Sequence, residues 1–120
     1  MKILGQCFRV YAEPAAFDAT IAFYEQLQAT TCARRILIAE TGVTAARFGA
    51  FLILAGCGEA MTAARHVAGI FYVDDLDAYE DLVRDRGGEV VHELRTVKSG
   101  RNFTARHPDG LVIEYFEARV

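Results

Sequence analysis

The feature that most constrains this sequence is an internal repeat, offset by about half of its 120 residues. Three segments of the first half match three segments of the second half in the same order. The matched pairs are Arg9–Ala12 with Ile70–Val73, Phe17–Ala19 with Leu76–Ala78, and Ala50–Leu54 with Gly110–Glu114. Their offsets are 61, 59 and 60 residues, and such a nearly constant offset indicates a tandem duplication. We therefore predict one domain over residues 1–120, with repeat units at 1–56 and 66–120 and a Gly- and Ala-rich linker at 57–65.

Each unit has the pattern of one strand, one helix and three further strands. In the first unit, residues 4–11 alternate between two faces, which predicts a strand with Arg9 and Tyr11 on the same side. A helix is predicted near residues 15–28, where Pro14 suits the first turn and apolar residues recur at helical spacing. These apolar residues are Phe17, Ile21, Tyr24 and Leu27. The three further strands are predicted at 31–40, 43–48 and 51–55.

The second unit repeats this order. A strand is predicted at residues 67–73 and a helix near 75–86, with Asp74 or Asp75 as its cap. The further strands are predicted at 89–94, 101–106 and 111–116. A four-stranded sheet with one helix leaves its other face uncovered, so two such units gain by closing around a shared cavity. The predicted fold is α+β, with two βαβββ units forming curved mixed sheets around that cavity.

Composition excludes several classes of function. The net charge is −3 and there is no run of Lys and Arg, so nucleic acid is not expected as a partner. No apolar run approaches the roughly 20 residues that a membrane span needs. The N-terminus lacks the apolar segment of a signal peptide, so a cytoplasmic location is expected. The three cysteines are widely spaced, which does not suit a disulfide framework.

The ordered set of local motifs resembles the glyoxalase / bleomycin-resistance / extradiol-dioxygenase superfamily, also called the vicinal oxygen chelate superfamily. The resemblance covers nearly the whole chain. The motifs that carry it are Phe23-Tyr24, Val73-Asp74-Asp75-Leu76-Asp77, Gly87-Gly88-Glu89-Val90 and the hairpin His107-Pro108-Asp109-Gly110-Leu111-Val112-Ile113-Glu114.

The resemblance implies where a divalent metal would be bound. Enzymes of this superfamily hold the metal with four side chains on the strands that face the cavity, typically two His and two Glu. The corresponding positions here are Cys7, Leu54, Ala68 and Glu114. Because leucine and alanine cannot ligate a metal, we expect no metal at these positions. A divalent metal would need an atypical set such as His66, Glu114 and Cys7, and His92 and His107 have no partner at ligand spacing.

The same strands predict a ligand-binding surface. Its candidate residues are Arg9, Tyr11, Leu54, Ile70, Tyr72, Glu114 and Phe116. The surface is mostly apolar with few polar groups, which suits a small organic molecule. Glu114 either forms an ion pair with Arg9 or acts as a general base, and these side chains either line an open cavity or fill a core. The polar segment 98–102 offers Arg101 or Asn102 to an anionic ligand.

We therefore expect a protein of this superfamily that lacks the usual metal ligands and binds a small organic molecule. The resemblance also implies a homodimer. The alternative is a metal-dependent lyase, isomerase or dioxygenase with an atypical ligand set. Whether the chain is an enzyme stays open at this stage, and so does a structural role for a dimer with a filled core.

Overall fold

A computed structural model describes residues 1–119 of the chain. It contains eight strands and three α-helices in the described residues. The strands are β1 (Ile3–Ala12), β2 (Ile36–Ile38), β3 (Val43–Phe48), β4 (Phe51–Ala55), β5 (Gly69–Val73), β6 (Glu89–Val97), β7 (Gly100–Arg106) and β8 (Val112–Ala118). The helices are α1 (Phe17–Gln28), α2 (Glu59–Ala64) and α3 (Leu76–Asp85). No helix within residues 1–119 has the length and apolar character needed to cross a membrane.

The contacts divide the described chain into two compact units. One consists of residues 7–66, and the other of residues 1–6 together with 67–119. The division falls within β1, so the first residues of that strand belong with the second half of the chain. The backbone N–H of Lys2 donates to the Asp74 carboxylate at 2.7 Å, and the N–H of Asp74 donates to the Lys2 carbonyl at 3.2 Å.

In the unit of residues 7–66, the strand order is β2-β3-β4-β1. β1 and β4 are parallel, and the other pairs are antiparallel. α1 packs on one face of this sheet through Phe17 and Ile21, which are buried against Ala46, Phe48 and Ile53. This burial follows from the apolar spacing of four residues between Phe17 and Ile21, which places both side chains on the same side of the helix.

In the unit of residues 67–119, the strand order is β5-β8-β7-β6, with β5 and β8 parallel. Leu76, Tyr79 and Val83 of α3 pack against Phe103 and Tyr115. Asp75 is the N-cap, and its carboxylate accepts a hydrogen bond from the N–H of Ala78 at 3.2 Å. Such a cap satisfies one of the N–H groups that the first turn leaves open.

These elements confirm the predicted fold class, which is α+β with a mixed sheet in each βαβββ unit. Two predicted segments differ. Of the residues 31–40 that were predicted to form a strand, only Ile36–Ile38 pair with a neighbouring strand. The predicted linker at 57–65 contains α2, which forms because its Met61 is buried against Val43 and Leu54.

The hydrogen-bonded register also differs between the repeats. In the parallel pairs, Tyr11 lies opposite Leu54, while Tyr72 lies opposite Phe116. The sequence offset of 60 matches Leu54 with Glu114, so the last strand of the second unit is shifted by two residues. The shift accompanies a longer turn, since Gly49-Ala50 joins β3 to β4 whereas residues 107–111 join β7 to β8. Because the shift is an even number of residues, each side chain stays on the same face of the sheet.

Candidate functional site

In residues 7–66, the predicted ligand-binding residues lie on the sheet face opposite α1. Val10 and Ala12 pack towards α1, so Arg9 and Tyr11 alternate to the other side of β1. The Arg9 guanidinium carbon lies 5.4 Å from the centroid of the Tyr11 ring, which is the geometry of a cation–π contact. Leu54 is buried on this face with Val43 and Met61. This unit therefore offers one cation over an aromatic ring beside apolar side chains.

In residues 67–119, the other predicted residues share the sheet face opposite α3, which we call the distal face. It consists of Ile70, Tyr72, Asn102, Thr104, Glu114 and Phe116, because their neighbours along each strand pack on α3. The rings of Tyr72 and Phe116 meet edge to face, with centroids 6.0 Å apart. Ile70 lies opposite Glu114 in the parallel register. The structure thus brings together the four predicted residues of this unit.

A chain of polar contacts crosses the distal face. The Nε of Arg95 on β6 donates to the Oδ1 of Asn102 at 3.3 Å. The Nδ2 of Asn102 in turn donates to the Oε2 of Glu114 at 3.1 Å. Both bonds fix the orientation of the Asn102 amide, since one uses its oxygen and the other its nitrogen. The Glu114 carboxylate is therefore held by β7 in a defined orientation beside the aromatic pair.

Thr104 and His92 lie next to these hydrogen-bonded residues on the sheet. Thr104 lies opposite Glu114 on β8 and opposite His92 on β6. Side chains that are opposite in an antiparallel pair share a face and come close together. Thr104 is buried, with 6% of its surface exposed. The three residues His92, Thr104 and Glu114 thus lie side by side across neighbouring strands. The sequence had predicted no partner at ligand spacing for His92.

The sequence predicted Asn102 both in the polar segment 98–102 and in a strand at 101–106, but it did not identify the sheet face on which Asn102 lies. Gly100–Arg106 is strand β7, in which Phe103 and Ala105 pack towards α3. The alternation of Asn102, Phe103, Thr104 and Ala105 is the signal that could have located the two polar residues.

Arg101, the other residue expected to contact a ligand, instead holds α3. Its guanidinium donates to the Glu117 carboxylate at 2.6 Å and to the Asp77 carboxylate at 3.1 Å. The hydrogen bonds that Arg101 donates to Asp77 and then to Glu117 raise its pKa further above the ordinary value. Glu117 also accepts a hydrogen bond from the N–H of Leu76, at the first residue of α3. The contacts of Arg101 therefore stabilise the start of α3.

The residues at the superfamily's metal positions do not fit a metal. Leu54 and Ala68 carry no donor atom, and the buried thiol of Cys7 lies 3.8 Å from the carbonyl oxygen of Gly49. Within residues 1–119, no three His, Cys, Asp or Glu residues form a group that could hold a metal ion. This statement includes the atypical set of His66, Glu114 and Cys7. That the protein works without a divalent metal stays a prediction.

Comparison with solved structures identifies the fold. Methylmalonyl-CoA epimerase from Mycobacterium tuberculosis aligns with a TM-score of 0.71 and 18% identity, over 98% of this chain and 90% of its own. The Streptomyces coelicolor epimerase in complex with 2-nitronate-propionyl-CoA aligns with a TM-score of 0.66 and 20% identity, over 100% and 99%. These epimerases are members of the vicinal oxygen chelate superfamily. The chain therefore has the glyoxalase-like fold of that superfamily, as its motifs indicated.

A nearer relative comes from Methanosarcina mazei. The crystal structure of this uncharacterized protein aligns with a TM-score of 0.86 and 38% identity, over 99% of this chain and 95% of its own. The chain belongs to the same family as the Methanosarcina mazei protein, within the vicinal oxygen chelate fold. No protein-family model matches the chain, and neither does any curated protein.

Proposed function

We propose that this chain binds a small organic molecule on its sheet faces and does so without a metal. On the distal face, the apolar body of the molecule contacts Tyr72 and Phe116, and its polar group bonds to the Asn102–Glu114 pair. The observation that supports this most directly is the 3.1 Å bond between Asn102 and Glu114 beside the two rings. Apolar and aromatic walls with a few fixed polar groups are typical of small-molecule sites.

Two further features support the proposal. In residues 7–66, Arg9, Tyr11 and Leu54 form a surface of the same mixed character. The Asn102 amide is already oriented by Arg95, so a ligand would meet a polar group that loses little freedom on binding. The superfamily's enzymes hold their metal through four positions, and two of these are occupied here by Leu54 and Ala68, which cannot ligate it.

Thermal melts with a panel of small compounds test the proposal. The panel contains aromatic carboxylates, aromatic alcohols and short acyl-CoA thioesters, the last because a solved relative of this fold holds 2-nitronate-propionyl-CoA. We expect at least one compound to raise the melting temperature by mass action. The rise should be lost in Asn102→Ala and Phe116→Leu, and kept in the control Lys98→Ala, which changes an exposed residue of the β6–β7 turn. If no compound shifts the parent protein, or both variants respond as it does, the filled-core hypothesis replaces ours.

The alternative function is a metal-dependent lyase, isomerase or dioxygenase with an atypical ligand set. It requires stoichiometric zinc, nickel, iron or manganese in protein purified without chelator, and loss of that metal on Glu114→Ala. Elemental analysis of the two proteins distinguishes this alternative from metal-free binding.

A further inference from the structure

An open surface cavity lies at the C-terminal end of α3, away from the distal face. Its volume is about 530 Å³, and its walls are Leu82, Val83, Arg86, His107, Pro108 and Tyr115. A volume of this size suits a small ligand. None of the six residues belongs to the distal face, so this cavity is independent of the function proposed above.

Tyr115 and His107 form the polar floor of the cavity. The Tyr115 hydroxyl lies 2.6 Å from the Nε2 of His107, and the tyrosine is 4% exposed. Burial, and to a smaller extent Tyr79, raise the pKa of Tyr115 to about 12, so its hydroxyl keeps the proton at neutral pH. This contact occupies the Nε2 of His107 and leaves Nδ1 as the other ring nitrogen.

Arg86 supplies a positive charge to the same cavity. Within residues 1–119, Arg86, the C-cap of α3, forms no ion pair, whereas Arg84 in the last turn contacts Glu80 at 3.4 Å and Glu93 at 3.3 Å. An arginine beside apolar walls with no carboxylate partner is well suited to pair with a ligand carboxylate, because its planar donors match that group.

The carbonyl groups at the end of α3 do not need the Arg86 side chain. The Leu82 carbonyl accepts from the backbone N–H of Arg86 at 3.0 Å, and the Val83 carbonyl accepts from the N–H of Gly88 at 2.8 Å. The guanidinium is therefore available to a ligand in the cavity.

We propose that this cavity binds a small organic anion, namely a carboxylate on an apolar body. The Arg86 guanidinium pairs with the carboxylate, beside the contact between His107 and Tyr115. Leu82, which is 39% exposed, and Pro108 contact the apolar body. An uncharged molecule of the same shape lacks the ion pair and binds more weakly.

Benzoate and benzamide are matched probes for this site, since they share a ring and differ in charge. In amide ¹H–¹⁵N NMR spectra of the full chain, benzoate should cause saturable shifts around residues 82–88 and 107–111, and benzamide should not. Arg86→Gln should weaken benzoate binding by about tenfold, the effect of losing one charge-assisted contact. The control Arg84→Gln, two residues earlier on α3, should bind benzoate as the parent does. The dispersion of the spectra shows directly whether each variant is folded.

Three results would overturn the proposal. They are equal shifts from benzoate and benzamide, shifted amides elsewhere in the chain, and a folded Arg86→Gln that binds benzoate as tightly as the parent. None of these results bears on the distal face, because the two sites share no residue.

Discussion

Tyr115 combines close packing with a polar contact in a single buried residue. Its ring stacks on Phe103, with centroids 4.8 Å apart and an interplanar angle of 5°, and meets Phe71 edge to face at 5.5 Å. Its hydroxyl bonds to His107. A buried hydroxyl without such a partner would destabilise the fold, so His107 at the start of the β7–β8 turn stabilises the core beneath it.

The raised pKa of Tyr115 predicts how stability depends on alkaline pH. Its pKa is about 12 in the folded chain, against an ordinary value of 10.0, chiefly because of burial. The folded state therefore favours the neutral phenol. This contribution to stability is complete below pH 10, and it is lost as the pH rises through 12.

We expect the free energy of unfolding to fall between pH 10 and pH 12, as measured by urea denaturation. Ultraviolet absorbance of tyrosinate should show one late-titrating phenol fewer in Tyr115→Phe than in the parent, because burial also raises the pKa of Tyr79, which the variant keeps. If all the tyrosines of the parent titrate near pH 10, the predicted shift is wrong.

At the scale of elements, α1 is tied to the β3–β4 turn by Gln28. Its Oε1 accepts from the N–H of Ala50 at 2.7 Å, and its Nε2 donates to the Phe48 carbonyl at 3.4 Å. Gly49, between them, has φ of +60°, and a Cβ there would lie 2.2 Å from the Gln28 Oε1. The turn therefore requires glycine both for its backbone and for the approach of the glutamine. Leu27, predicted to belong to the apolar stripe of this helix, is 61% exposed instead.

Replacing Gln28 should loosen this tie. We expect Gln28→Ala to lower the free energy of unfolding by about 1 kcal/mol, the usual net contribution of such hydrogen bonds. Gln26→Ala is the matched control, because Gln26 is exposed on the same helix and its side chain takes part in no recorded hydrogen bond within residues 1–119. Urea denaturation of the three proteins gives the comparison. Equal stability of the two variants would contradict the role of Gln28.

For the whole molecule, we predict an isologous homodimer. Several large apolar side chains of residues 7–66 are exposed, including Phe8 at 64% and Phe23 at 59%. Exposed apolar surface favours association, and closed two-fold dimers are the commonest homo-oligomers. Sedimentation at micromolar concentration should give twice the chain mass of 13.2 kDa. A single species at the mass of one chain would contradict this prediction.

The order of strands and helices could be predicted from the sequence because it depends on neighbouring residues. Alternation placed Arg9 and Tyr11 on one face of β1, and the apolar spacing from Phe17 located α1. The repeat predicted two similar units, and Asp75 was identified as a possible cap. Alternation, apolar spacing and helix capping each act over a few residues, so local propensity and the side-chain period are sufficient to determine them.

The tertiary structure alone decided which distant residues meet. Three features depend on how separate elements pair. They are the two-residue shift of β8, the hydrogen bond between Asn102 and Glu114, and the tie of α1 to the β3–β4 turn by Gln28. The periodicity had favoured Leu27 as the contact residue at that end of the helix. No local pattern determines such pairs, because register is set by turn length and by the packing of whole faces. The sequence by itself determined the elements and their faces, whereas the polar contacts of the candidate sites arise only when the strands and helices pack together.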